Sequence, residues 1–211
     1  SSTIVSLSLR KCYLGPQALD LLAKLIGAIN SVTVDSTGDT KDWRGDWRNG
    51  GPKTYTLTAG EEHLELSSKN LGSADVTLVA AWLTTSAGGA INLLTLDSTG
   101  NMRDQKTYTL TAGEEKIDLS QKNLGSADVT LLTSWLQRPE VTGAVASLCC
   151  ANNPGMVGEL EYGRLKTPDV HAEVFKQLTD SLKISKVTEV DFSSCGIGPV
   201  ALGHLSDWVR D

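Results

Sequence analysis

The chain has 211 residues, 40% of them hydrophobic and 5% aromatic, with a formal net charge of −6. That length buries a real core, in one elongated domain or two compact ones, and the scarcity of aromatics beside plentiful Leu, Val, Thr and Ser favours thin repeated layers. The acidic balance excludes a general nucleic-acid binder, which needs concentrated Lys and Arg, and no apolar run is long enough to cross a bilayer.

The first predicted element is a strand carrying Leu7 and Leu9 within Ile4-x-x-Leu7-x-Leu9-x-x-Cys12-x-Leu14-Gly15-Pro16. A helix over residues 16–29 follows, with Pro16 in its first turn, where proline is tolerated. Val32, Val34 and Asp35 begin a second strand that ends in Asp-Ser-Thr-Gly, and Leu94–Gly100 repeats that run. Residues 39–52, DTKDWRGDWRNGGP, form a loop. Next comes KTYTLTAGEE at 53–62, found again without change at 106–115, an offset of 53 residues. Its Thr, Tyr and alternating apolar positions predict extended chain. KNLGSADVTL at 69–78 recurs at 122–131 with the same offset, each copy leading to a Trp-Leu pair at Trp82-Leu83 and Trp135-Leu136. These stretches predict helices over Ser73–Leu83 and Ser126–Leu136, with Ser73 and Ser126 as N-caps and Asp75 and Asp128 favouring the helix dipole. A strand over 143–149, a turn at Asn152, Asn153 and Pro154, a polar loop over 155–166 and a helix over 169–182 come after. The last strand carries Val190 and Phe192, and the last helix runs over 199–209.

The two ends match each other: Val187-x-x-Val190-x-Phe192-x-x-Cys195-x-Ile197-Gly198-Pro199 repeats the opening frame, and Leu64/Leu66 and Ile117/Leu119 fit it as well. This pattern resembles the leucine-rich repeat family, most closely its ribonuclease-inhibitor-like class. The resemblance implies an α/β solenoid over residues 1–211, a single domain or a segment of a longer array. Its curved parallel sheet of about seven strands would line the concave side, with helices alternating with extended segments on the convex side. The non-helical repeats depart from that class, which backs every strand with a helix. A rival reading makes TYTL-TAGE-EHLEL an antiparallel hairpin in an α+β domain. Stacked repeats bury a continuous core that no single unit can bury alone.

Cys12, Cys149, Cys150 and Cys195 have the spacing of neither a zinc site nor a disulfide framework, so they read as reduced, semi-buried residues. Without an Asn-x-Ser/Thr acceptor in the chain, this favours a cytoplasmic setting, with an extracellular one as the alternative. The lack of an initiator Met and of a signal pattern reads as a processed product or an excised segment. In the resembling family the position of Cys12 and Cys195 holds an Asn or Cys that bonds neighbouring loops. Lys69 and Lys122 stand there in the central copies, with Asn70 and Asn123 one place on, which implies a ladder shifted by one residue or broken.

Two surfaces are candidates for binding. Asp35, Glu65, Asp97, Asp118 and Asp191 recur on strands and would form an acidic row, either a dock for a basic protein or peptide or a solvated face. The loop 39–52 exceeds its counterpart, residues 101–105, by nine residues, and the fold does not require them. It alternates Trp43 and Trp47 with Arg44, Arg48, Asp42 and Asp46, residue types that concentrate at interface hot spots. Its Arg44-Gly45-Asp46 triplet resembles an integrin-binding tripeptide. The plainer alternative folds both tryptophans back onto the body. His63, His171 and His204 are scattered, and no phosphate loop, nucleophile elbow or metal-spaced cluster is evident. The expectation is a non-enzymatic recognition scaffold for a protein or peptide, with no cofactor, metal, nucleic-acid or membrane partner, and with stacking through its ends as a structural alternative.

Overall fold

The computed structural model describes residues 5–12, 14–101 and 104–210. Ile4, placed above in the first strand motif, lies outside the described residues, as do Met102 and Arg103 in the short counterpart of the 39–52 loop. The chain divides into two compact units, Ser1–Asp97 and Ser98–Asp211.

In the first unit, β1 (Ser6–Ser8) leads to α1 (Pro16–Ala23) and a 3₁₀ turn at Ile26–Ala28. Pro16 supplies a fixed φ at the helix start, where its missing N–H costs nothing. β2 (Ser31–Asp35) pairs in parallel with β1 and antiparallel with β3 (Thr54–Thr58). Alternation decides the faces: Val32 and Val34 are buried opposite Leu57 and Tyr55, while the Thr33 and Thr56 hydroxyls meet at 2.9 Å on the other side. β4 (His63–Glu65) precedes α2 (Ser73–Leu83) and pairs in parallel with β5 (Leu93–Asp97). The helices α1 and α2 pack together, with Trp82 fully enclosed.

The second unit contains β6 (Thr107–Thr111), β7 (Lys116–Asp118), α3 (Ser126–Leu136), a short α4 (Pro139–Thr142) and β8 (Ser147–Cys149). A hairpin of β9 (Glu159–Glu161) and β10 (Arg164–Thr167) follows, then α5 (Ala172–Lys183), β11 (Glu189–Asp191) and α6 (Pro199–Arg210). β8 lies between β7 and β11, parallel to both, while α5 packs on α3 and on α6.

This architecture corrects the solenoid expectation. The described strands form small sheets of two or three strands, not one curved parallel sheet, and parallel and antiparallel pairs are mixed. The physical cause lies in the connections. Parallel neighbours need a crossover of a dozen or more residues, usually helical, whereas a loop that doubles back delivers its strand antiparallel. Residues 36–53 double back, so TYTL at β3 is an antiparallel partner of β2 and not a convex layer behind it. The rival hairpin is also not formed, since β3 pairs with β2 where that reading paired it with 62–66. The stretch 155–166 read as loop holds the β9–β10 hairpin, turned by Tyr162 and Gly163 at φ 51° and 76°, the signs a two-residue primed turn requires.

The repeated glycine that ends Asp-Ser-Thr-Gly has a packing cause. A Cβ on Gly38 would lie 2.4 Å from the Leu71 carbonyl, and one on Gly100 would lie 2.5 Å from the Asn123 oxygen. Backbone atoms cannot yield as a flexible side chain can, so Gly38→Ala or Gly100→Ala costs on the order of 2 kcal/mol in urea unfolding. Gly203→Ala, with open space around its Cβ, is neutral or stabilising.

Candidate functional site

The 39–52 loop folds on itself. Lys41 and Trp47 form an antiparallel bridge, Arg48 N–H donates to the Thr40 carbonyl at 3.1 Å, and Asp42 N–H donates to the Asp46 carbonyl at 2.8 Å. At the tip, the Asp42 carboxylate accepts the N–H groups of Arg44 and Asp46 at 2.8 and 3.1 Å, and Gly45 turns the chain at φ 88°. At the base, buried Asp39 accepts the N–H groups of Thr40, Asn49 and Gly51 at 2.8, 2.9 and 2.7 Å. From outside the loop, Asn70 donates to the carbonyls of Asn49 and Gly51 at 2.9 and 2.8 Å. Asn123 repeats that clamp on the carbonyls of Asn101 and Asp104, so the loop-bonding amide sits one place after the cysteine position in both copies.

The tip presents Trp43, which is 84% exposed, with the Arg44 guanidinium 4.7 Å from its ring centre. Trp47 is less exposed: Gly51 backs its ring and the Lys41 ammonium lies 5.1 Å from its centre. Trp47 and Pro52 also line a groove of about 220 Å³ with Leu14, Lys11 and Asp35. The hairpin therefore displays an aromatic flanked by Lys41, Arg44 and Arg48 and by Asp42 and Asp46.

The acidic residues lie on strands of three separate sheets: Asp35 in one, Glu65 and Asp97 in a second, Asp118 and Asp191 in a third. Each carboxylate accepts a turn or loop N–H. Asp35 receives Lys11 N–H and the Thr54 hydroxyl, both at 2.6 Å, and Asp97 receives Ser68 N–H at 2.6 Å. Glu65, Asp118 and Asp191 each accept the N–H two residues on, at 2.8, 3.0 and 2.9 Å. Asp118 and Asp191 are brought near each other, flanking Cys149 on β8. The Thr54 hydroxyl holds Asp35 below the ordinary aspartate range, and the serines at 120 and 193 do the same for Asp118 and Asp191. All four cysteines are free thiols. Cys195 Sγ donates to the Cys150 carbonyl at 3.0 Å, and burial pushes its thiol up to about 11.

Two buried carboxylates carry more structure than a dipole contact. Asp75 accepts Thr37 N–H at 2.8 Å, the Thr37 hydroxyl at 2.7 Å, Gly72 N–H at 2.8 Å and the Tyr55 hydroxyl at 3.0 Å. Asp128 does the same with Thr99 N–H (2.8 Å), the Thr99 hydroxyl (2.7 Å), Gly125 N–H (2.7 Å) and the Tyr108 hydroxyl (2.8 Å). The N-caps are thus Gly72 and Gly125, and Ser73 and Ser126 are the first helical residues instead. Each aspartate ties a helix start to a loop and to a tyrosine strand. The acidic row and the helix dipole do not account for this node, although Thr, Tyr and Asp all recur in both copies.

Burial raises the carboxyl pKa of Asp75 and Asp128 above the ordinary value against the pull of four donors, and burial drives Tyr55 and Tyr108 well up. A raised folded pKa means the native state holds more protons than the unfolded chain between about pH 3.9 and the raised value, so stability falls as pH rises through that window. Asp35, Asp118 and Asp191 act oppositely, as does Asp169, where burial is outweighed by N–H bonds from Val200, Gly198 and Ala201: their contribution is lost as pH falls below the ordinary value. The melting temperature therefore peaks on the acid side of neutral, and Asp128→Asn, which cannot titrate, reduces the decline from that peak toward neutral pH. Calorimetric scans across pH check both.

Among the described residues no group of three His, Cys, Asp or Glu is placed to hold a metal ion, and no helix is long and apolar enough to cross a membrane. A comparison with protein-family models found no match, and comparisons with curated proteins and with solved structures found none either.

Proposed function

We propose that this protein is a non-enzymatic recognition module that binds a protein or peptide partner through the tip of the 39–52 hairpin. The observation that carries this reading is a largely exposed Trp43, stacked with Arg44, on a hairpin whose base is fixed by Asp39 and Asn70. Large aromatic and Arg side chains contribute most to interface energy, and an anchor already held in place loses little entropy when bound. The alternating charges around Trp43 offer a polar rim to a partner of mixed charge. Asp35, Glu65, Asp97, Asp118 and Asp191 are engaged with the chain's own backbone, which favours the hairpin over the acidic strands as the contact. Four free thiols support a reducing, cytoplasmic setting.

Affinity capture with the wild type and with Trp43→Ala/Trp47→Ala tests the reading, thermal unfolding showing that the variant stays folded. A set of proteins held by the wild type and lost from the variant is the expected result; identical sets from both would end the proposal. A second reading is favoured by the position of Arg44-Gly45-Asp46 at the very tip: an adhesion contact in which Asp46 meets a receptor-bound divalent cation. Capture abolished by EDTA and by Asp46→Asn points to that reading.

A further inference from the structure

The sequence contains a single Asn-Gly step, Asn49-Gly50, on the returning arm of the 39–52 hairpin. An asparagine side-chain amide is open to attack by the backbone nitrogen of the next residue, and glycine obstructs that attack least because it has no Cβ. Nothing on this arm blocks the route. Asn49 is exposed, and its side-chain amide makes no hydrogen bond among the described residues. The Gly50 N–H has no acceptor among them either, so its nitrogen is not tied elsewhere. Space around Gly50 is also open, since an added Cβ would meet nothing within 4 Å. Other asparagines lack these conditions. Asn30 is exposed too, but the Ser31 N–H that follows it is bonded to the Val5 carbonyl at 3.0 Å, and after Asn92 the Leu93 N–H donates to the Glu62 carbonyl at 3.1 Å. The amides of Asn70, Asn123 and Asn153 are held by backbone carbonyls.

We propose that Asn49 is a site of spontaneous modification, converted through a cyclic imide to isoaspartate, and that this conversion unlatches the hairpin. The Gly50 nitrogen gives its proton to solvent and bonds to the Asn49 side-chain carbonyl carbon, while the Nδ2 group takes a proton from water and leaves as ammonia. Water then opens the imide. Addition at the side-chain carbon gives aspartate in an unchanged backbone. Addition at the main-chain carbon routes the backbone through the side chain and turns the former Asn49 carbonyl into a carboxylate. That second product falls on the latch itself. The N–H groups of Asn49 and Gly51 share one oxygen of Asp39, Oδ2, at 2.9 and 2.7 Å, and the carbonyls of the same two residues share the Asn70 amide at 2.9 and 2.8 Å. A backbone one methylene longer between these residues spreads both pairs. It also sets a new carboxylate near Asp39, where like charges repel.

Peptide mapping by mass spectrometry during incubation of the folded wild type at neutral pH and physiological temperature tests this. No partner is needed, so the outcome is separate from that of the recognition reading. The peptide containing residues 49 and 50 should gain the mass difference between an amide and a carboxyl ahead of every other asparagine-containing peptide. The gain should be faster at higher pH, where the Gly50 nitrogen loses its proton more readily. Fragmentation should identify isoaspartate as the larger product, and the converted fraction should lose exchange protection at the Gly51 amide. Asn49→Gln, whose extra methylene enlarges the ring and slows its closure, should keep both its mass at this peptide and its protection. A 49–50 peptide that keeps its mass in the wild type, or one overtaken by the Asn30 peptide, would overturn the proposal. So would a gain that persists in Asn49→Gln, or an isoaspartate product whose Gly51 amide stays fully protected.

Discussion

Asp128→Ala should lower the unfolding free energy by roughly 3–5 kcal/mol, as much as truncating a fully buried aromatic side chain. The truncation leaves Tyr108 OH, Thr99 OH and the N–H groups of Thr99 and Gly125 without their shared acceptor in a buried site. An unsatisfied buried donor costs about 1–3 kcal/mol, and partial entry of water keeps the total below the sum of four. For a chain of this size the melting temperature should fall by on the order of 10 °C. Asp128→Asn should cost about half as much, since the amide retains an acceptor but introduces two N–H groups among existing donors. Tyr108→Phe removes one donor along with its bond, so its cost should be near 1 kcal/mol. Chemical denaturation of the three variants gives the order directly. Equal effects of Ala and Phe would mean that the node is solvated and contributes little.

Asp39→Ala should release the hairpin without unfolding the protein. Its carboxylate accepts three N–H groups at the hairpin base, and once it is gone the base is held by the Asn70 clamp and by the cross-strand bond from Arg48 N–H to the Thr40 carbonyl. The loss amounts to about 2 kcal/mol of local opening, or roughly a thirtyfold fall in exchange protection at the amides of Asn49 and Gly51. The global melting temperature should move much less, because the hairpin is an insertion of nine residues that the second copy of the repeat folds without. Partner affinity should fall by about tenfold even though Trp43 and Arg44 are intact, since a loosened tip must be ordered on binding. A variant whose Asn49 and Gly51 amides exchange freely while the partner binds with undiminished affinity would separate preorganisation from recognition.

The longer helices were legible in the sequence, whereas the four-residue α4 and the sheets were not. α2 and α3 match their expected limits because Gly-Ser-Ala-Asp marks the start and the Trp-Leu pair closes the apolar run. α1 stops at Ala23, well short of residue 29, and passes into a 3₁₀ turn around Gly27. Period-two alternation shows which side of a strand is buried but not which way its neighbour runs; Val32/Val34 fit a parallel or an antiparallel partner equally well. The parallel sheet came from the family resemblance, and residues 36–53 reverse the chain where that resemblance required a crossover. The β9–β10 hairpin did leave a signal, Tyr162-Gly163 within the alternating stretch GELEYGRLKT.

The buried node was hidden by its spacing. Tyr and Asp are 20 residues apart in both copies, but Thr and Asp are 38 apart in the first and 29 in the second. That difference of nine is the excess length of the 39–52 hairpin, inserted between Thr37 and Tyr55. The insertion thus enters between two residues bound to the same carboxylate, and Asp75 with Thr37 and Tyr55 holds both its ends. The candidate site was legible as an insertion rich in Trp and Arg. Its hairpin geometry was not, because it depends on Asp39 and Asn70, which no periodicity relates.

Photo-crosslinking from the hairpin tip tests the recognition account most directly. A photoreactive phenylalanine analogue placed at position 43 is compared with the same group at position 162, where Tyr162 is equally open to solvent on the β9–β10 turn. Discrete protein adducts from position 43 and none from 162 are the predicted result. Absence of adducts at 43, or the same adducts from both positions, would contradict the account.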